Sequence, residues 1–266
     1  MSAPGGHFDS GTMNQSFPEL PAPPPLTPHD ALFLDFDGTL VELAPTPQSV
    51  VVSPTLGSLF RNMSRRLQGA VAIVSGRPTR DIRGYLPTVS ATVVGVHGAE
   101  IWRPDGSRET VAIAADVLQA ARARLAAATE EKEGVLLEDK QLGYALHYRA
   151  VPDAKTLCHA AVEAAAAASG GTLRARPGNM VIDLCPASVD KGTAIRSLLG
   201  VPPFAGRNPV FVGDDYTDEP GFAAAAAAGG YGVLVGPARM TAANARLPSV
   251  ATVADWLARF ANEQAS

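Results

Sequence analysis

The chain has 266 residues, enough for one large domain or for a domain carrying a substantial insertion. Its formal net charge of −4 leaves no electrostatic footprint for nucleic acid, and no apolar run approaches the ~20 residues that span a bilayer. Cys158 and Cys185 match no metal or redox spacing, so both are expected to be buried and reduced, as suits a cytoplasmic protein.

Residues 1–30 contain seven prolines between Pro4 and Pro28, with Gly and Ser and few apolar anchors. Such a segment buries too little surface to offset its ordering entropy, so a disordered tail is predicted. It has neither a basic start nor a continuous apolar stretch, which excludes a secretory signal. Ala31-Leu32-Phe33-Leu34 then runs into Asp35-Phe36-Asp37-Gly38-Thr39. A short apolar run closed by Gly is the pattern of a buried, parallel-type strand. The C-terminal edge of such a sheet is where open α/β folds place their chemistry. If the strand continues to Asp37, Asp35 and Asp37 share a face and require a cation or a shared proton between them. Gly38 permits a tight exit, and Thr39 offers a hydroxyl and an N–H to an anion.

Ser53-Pro54 starts a helix whose apolar face is Leu56, Leu59, Phe60, Met63 and Leu67. Gly69 to Val74 is a second buried strand, followed by Ser75-Gly76-Arg77-Pro78, a turn into a helix with a hydroxyl and N–H groups aimed at an anion. Thr92 to Val96 is a third strand, and His97 after it stands at the edge of the same site. From 106 to 186 the pattern becomes α+β: helices over 112–132 and 154–169, with strands at 135–137, 143–148, 172–173 and 180–184. This grouping predicts a separate module with its own sheet. Glu138, Lys140, His147, Tyr148, Arg149, Arg176, Asn179 and Asp183 within it could line one sheet face.

Asp190-Lys191-Gly192 opens the next helix. A lysine in the first turn opposes the helix dipole, where Asp or Glu would be favoured. The strand over 209–212 ends in Gly213-Asp214-Asp215-Tyr216-Thr217-Asp218-Glu219, an acid density that calls for solvent or a cation. A strand at 232–235 and a helix over 253–264 close the chain.

Taken together, Asp-Phe-Asp-Gly-Thr, the strand-borne Ser75, Lys191 and Gly-Asp-Asp-x-x-Asp occur in the order and positions of the four motifs of the haloacid dehalogenase superfamily, which the chain resembles. Val-Ser-Gly-Arg, Gly-Val-His-Gly-Ala-Glu, Glu-Asp-Lys, Leu-His-Tyr-Arg and Gly-Asp-Asp-Tyr-Thr-Asp-Glu narrow the resemblance, from Ala31 to Trp256, to the trehalose-6-phosphate phosphatases. Val96 replaces a polar residue that some members carry, and Asp183 stands where the family usually has Glu. The resemblance implies an α/β fold, a HAD-like Rossmannoid doubly wound parallel sheet over 31–105 and 187–266. An inserted α+β cap of type 2 is expected over 106–186. It implies Mg²⁺-dependent hydrolysis of a sugar phosphate through an aspartyl-phosphate. Asp35 is then the nucleophile and Asp37 the acid and base. Ser75, Gly76, Thr39 and Lys191 hold phosphoryl oxygens. Mg²⁺ is held by Asp35, the Asp37 backbone carbonyl and Asp214, with Asp218 in the outer shell. Arg77, His97, Glu138, Lys140, His147, Arg176, Asn179 and Asp183 are expected to bind the sugar. The partner is a small-molecule sugar phosphate acted on by a monomer, without membrane or nucleic acid. Sucrose phosphate or a mannosyl-phosphoglycerate are alternative substrates. A phospho-accepting signalling domain is a further alternative, disfavoured because the second aspartate promotes turnover rather than storage.

Overall fold

Asp-Ala-Leu-Phe-Leu forms β1 (Asp30–Leu34), buried on both faces, as its unbroken apolar pattern requires. It lies inside an eight-stranded sheet in the computed structural model, which describes residues 19–262. β2 (Val71–Val74) and β3 (Thr92–Gly95) extend the sheet on one side of β1, joined through α1 (Leu56–Arg66) and α2 (Thr79–Tyr85). β4 (Glu100–Trp102) and β5 (Arg108–Thr110) finish that side as antiparallel edge strands.

The chain then leaves for α3 (Ala115–Thr129), β6 (Leu136–Asp139), β7 (Tyr144–His147), α4 (Lys155–Ala168), β8 (Leu173–Gly178) and β9 (Val181–Pro186). It returns through α5 (Lys191–Leu199) to β10 (Asn208–Gly213), which pairs parallel with β1 on its other side. α6 (Glu219–Ala227), β11 (Tyr231–Val235), β12 (Ala245–Leu247) and α7 (Val250–Asn262) complete the unit. Because β1 is flanked by β2 and β10, the connections diverge there, and a crevice opens at the carboxyl ends of these strands. α1 packs with α7 and α5 with α6. Phe33, Phe60, Phe204, Phe211 and Phe222 are fully buried in the core they cover.

The second sheet is four-stranded and antiparallel, in the order β6-β7-β9-β8. Its register places Leu137, Leu146 and Ile182 in one cross-strand row and Glu138, Ala145, Asp183 and Arg176 in the next. Neighbouring rows face opposite ways. The apolar face joins Leu125, Cys158 and Val162 of α3 and α4 in a separate core. The polar face is left to look at the first sheet.

Two expectations are corrected. Residues 19–30 of the proline-rich segment are packed rather than disordered; residues 1–18 lie outside the described residues. Leu26 is 5 % exposed within the main core. The Arg246 N–H donates to the Pro21 carbonyl at 2.9 Å, and Trp256 Nε1 donates to the Pro24 carbonyl at 3.0 Å. Prolines restrict the unfolded chain, so an extended strap costs little to order, while their carbonyls still accept. The module boundary expected at 106 also fails, because it cuts the β4–β5 hairpin and β5 pairs within the first sheet.

Candidate active site

β1 stops at Leu34, so Asp35 and Asp37 leave the strand instead of sharing a face along it. Each acid finds its own cation. Lys191 Nζ, 2 % exposed, donates to Asp35 Oδ1 at 2.7 Å and to Asp218 Oδ1 at 2.5 Å. This explains a lysine in the first turn of α5: two buried carboxylates outweigh the unfavourable dipole. Asp190 caps that helix, accepting from the Thr193 N–H at 2.7 Å. Arg77 grips Asp37 with both arms of its fork, Nε to Oδ2 at 2.6 Å and the other terminal nitrogen to Oδ1 at 2.8 Å. Its remaining arm donates to the Pro47 carbonyl at 2.7 Å. Arg77, expected on the sugar, therefore orients Asp37.

Asp214 follows β10 and leans over Gly38. A Cβ at Gly38 would lie 2.1 Å from Asp214 Oδ2, and its φ of +73° also favours glycine. One oxygen each of Asp35, Asp214 and Asp218 lie within 4.8 Å of one another. Burial pushes the Asp35 carboxyl up to about 8; Lys191 opposes this and Asp218 adds to it. Asp214 is pushed up to about 9 by burial and by the charges of Asp35 and Asp218. Three carboxylate donors, two buried and one half-buried, with excess negative charge are the set a hard divalent cation takes. The donors present fit Mg²⁺. The Asp37 carboxylate is not in this cluster because Arg77 occupies it, so the backbone carbonyl alone is left to Asp37 as a ligand.

The cleft between the sheets is lined by Asp35, Asp37, Ser75, Gly76, Arg77, His97, Lys191 and Asp214 from the first sheet's side. Glu138, Lys140, His147, Asn179 and Asp183 line it from the second. Ser75 Oγ accepts from the Arg77 N–H at 3.1 Å, capping the turn while facing the cleft. Glu138 Oε2 and His147 Nε2 are 2.7 Å apart. Burial alone would raise Glu138, yet His147 and Lys140 hold it below the usual carboxylate range. Lys140 Nζ donates to Asp183 Oδ1, and His97 Nε2 lies 3.0 Å from Asp183 Oδ2. Burial would raise Asp183 too, but Lys140 and His97 hold it well down. The Asn179 N–H donates to Asp215 Oδ2 at 3.1 Å, a second link between the sheets.

Three expected site residues do not line the cleft. Thr39 is fully buried, its hydroxyl without a partner among the described residues, because the turn after Asp37 points it inward. Asp218 is buried behind Lys191. Arg176 shares the polar face of its sheet, but its guanidinium turns to Cys185 Sγ at 2.9 Å and to the Val189 carbonyl, where the chain re-enters the first unit. The sequence reading missed Leu43 to Pro47, Asp215 and Thr217, which also line the cleft. The two prolines at 45 and 47 were the only local signal for that loop.

An α/β sheet with its acids at the switch point, a buried lysine between two of them and a second sheet over the cleft define a HAD-like hydrolase. The chain belongs to the trehalose-phosphatase family, whose model matches residues 33–250. It is 40 % identical over 207 residues to a probable trehalose-phosphate phosphatase of Sinorhizobium fredii, covering 78 % of each chain. It is 32 % identical over 238 residues to the trehalose-6-phosphate phosphatase of Escherichia coli K12, covering 88 % of this chain and 87 % of that one. Its fold is similar to the C-terminal domain of the Candida albicans trehalose-6-phosphate phosphatase, with a TM-score of 0.79 at 21 % identity over 88 % of this chain and 92 % of that one. A solved trehalose-6-phosphate phosphatase related protein matches with a TM-score of 0.72 at 26 % identity over 86 % and 96 %.

Proposed function

We propose that the protein is a Mg²⁺-dependent phosphatase that hydrolyses trehalose 6-phosphate to trehalose and phosphate through an aspartyl-phosphate on Asp35. The observation that carries the reading is the meeting of Asp35, Asp37, Ser75 and Lys191 beneath the polar face of the second sheet, in a chain of this family. A phosphate monoester brings almost two negative charges at pH 7, so the nucleophilic carboxylate approaches against repulsion. Mg²⁺ held by Asp35, Asp214, Asp218 and the Asp37 carbonyl would supply positive charge against the phosphoryl oxygens.

Asp35 attacks phosphorus as the bond to the sugar oxygen breaks, and Asp37 delivers a proton to that leaving oxygen. Asp37 then takes a proton from the water that attacks phosphorus, and the bond to Asp35 breaks. Lys191 and the Ser75-Gly76 turn hold the phosphoryl oxygens along this path. Arg77 keeps the Asp37 carboxyl aimed at the cleft for both steps. Lys140, Glu138, His147 and Asn179 meet the sugar hydroxyls, with Asp183 holding Lys140. Closure of the second sheet excludes water from the sugar side. Free, buried Cys158 and Cys185 suit a cytoplasmic enzyme.

Phosphate release with Mg²⁺ across a panel of sugar phosphates tests this. Trehalose 6-phosphate should be turned over with the highest kcat/KM, and Asp35→Asn should fold normally and release none. Preference for sucrose phosphate or a mannosyl-phosphoglycerate would reassign the substrate, and an active, folded Asp35→Asn would exclude Asp35 as nucleophile.

A further inference from the structure

The segment after β3 has an unusual backbone. Val96, His97 and Gly98 have successive φ values of +48°, +56° and +112°. Only the glycine takes such angles freely, and a β-branched valine is the residue least suited to them. The turn is held from both sides. The Val96 N–H donates to the Arg77 carbonyl and the His97 N–H to the Ser75 carbonyl, each at 3.0 Å. The Val96 side chain is fully buried in a small cluster with Ala99 and with Cys185 of β9, so this packing joins the two sheets.

The strained turn delivers one side chain. The His97 ring packs close against Gly76, where a Cβ would stand 2.7 Å from both Cε1 and Nε2. A glycine at 76 is thus what lets the ring lie on the Ser75-Gly76 turn. Burial pushes the His97 pKa down, against the pull of the Asp183 carboxylate. Asp183 accepts, so Nε2 carries a proton, and Nδ1 is buried without a partner among the described residues. The polar bond that this ring makes is therefore the one to Asp183. An apolar residue would fill the space without stranding a buried nitrogen, so the imidazole is retained for that bond.

We propose that His97 is a positioning residue for substrate recognition, registering the Lys140–Asp183 pair of the second sheet on the phosphate-binding turn of the first. The inference rests on the reading of that pair as part of the sugar site. Asp183 spends one oxygen on His97 and the other on Lys140, so Lys140 Nζ keeps two donors for acceptors in the cleft. His97 fixes Asp183, Asp183 fixes Lys140, and His97 itself is fixed on Ser75-Gly76. The chain of contacts sets the distance between the phosphoryl site and the sugar-binding ammonium, and so selects substrates whose hydroxyls fall at that distance.

The test uses the full chain with Mg²⁺ and trehalose 6-phosphate, comparing His97→Ala, His97→Gln, Asp183→Asn and the His97→Ala/Asp183→Asn double variant. Misregistered sugar contacts should raise KM about tenfold in His97→Ala with kcat changed less than about threefold. His97→Gln, whose amide can donate to Asp183, should recover part of the loss. The double variant should be no worse than the poorer single one, because both act through one bond. Additive losses, or a fall in kcat at unchanged KM, would overturn the role. A parent enzyme inactive on trehalose 6-phosphate would instead refute the functional reading. Asp183→Asn leaves the first sheet's own residues intact, and its amide exchange supplies a readout independent of substrate. Faster exchange across residues 96–99 than in the parent is expected, and unchanged exchange there overturns the coupling.

Discussion

Replacing Lys191 with methionine keeps most of the side-chain volume and removes the ammonium between Asp35 and Asp218. Both contacts are short, 2.7 and 2.5 Å, and all three groups are buried. Removing one partner of a buried ion pair costs about 3–5 kcal/mol, since the remaining charge loses its compensation. At about 2–4 °C per kcal/mol for a chain of this size, the melting temperature should fall by about 6–20 °C. The measurement is thermal unfolding in chelator at pH 8. The loss has an expected pH dependence. Asp35 already stands at about 8 through burial, with Lys191 pulling it down, so in the variant it holds its proton more tightly still. Raising the pH above 8 lets the parent release the Asp35 proton beside Lys191 while the variant still has to bind it, so the deficit relative to the parent should widen. Mg²⁺ should restore part of the stability by supplying positive charge to the same oxygens. A variant as stable as the parent in chelator, or a deficit unchanged between pH 7 and 10, would refute the electrostatic account of Lys191.

Phosphate release should require a divalent cation, and the thermal stabilisation by Mg²⁺ should grow with pH. Asp35 and Asp214 are raised from 3.8 to about 8 and about 9, chiefly by burial, so their contribution to stability is full below 3.8 and is lost as pH rises through those values. The melting temperature of the metal-free protein should accordingly decline towards pH 9 while the Mg²⁺-induced shift increases, because protons cease to compete; a shift flat from pH 6 to 9 would count against the cluster as the metal site. Leu26→Ala should destabilise the fold by about 2–3 kcal/mol, measured by urea unfolding, because a buried leucine is truncated. No change would return residues 19–30 to the status of a loose tail.

The first sheet's side of the cleft was legible in the sequence because each of its parts is a local pattern. Asp35, Ser75 and Asp214 follow short apolar runs, and Lys191 breaks a rule of helix ends within a single turn. Strand period, turn glycines and helix caps depend on neighbours a few residues away, so they survive without the fold. The switch point followed from the order of those runs. What the tertiary structure decided are the partners. Arg77 reaches Asp37 across 40 positions, and His97 reaches Asp183 across 86. Arg176 lies in the same cross-strand row as Asp183, yet the position of Val189 and Cys185 draws it away from the cleft. Composition argued that the proline-rich segment could not fold by itself, which is sound for an isolated chain. A core already formed by β12 and α7 offers Leu26 burial and the Pro21 and Pro24 carbonyls donors, and no property of residues 19–30 alone reveals that surface. Apolar period and chain order thus set the elements and the edge where the acids gather. The pairing of charges across that edge was decided by distances that exist only after the two sheets meet.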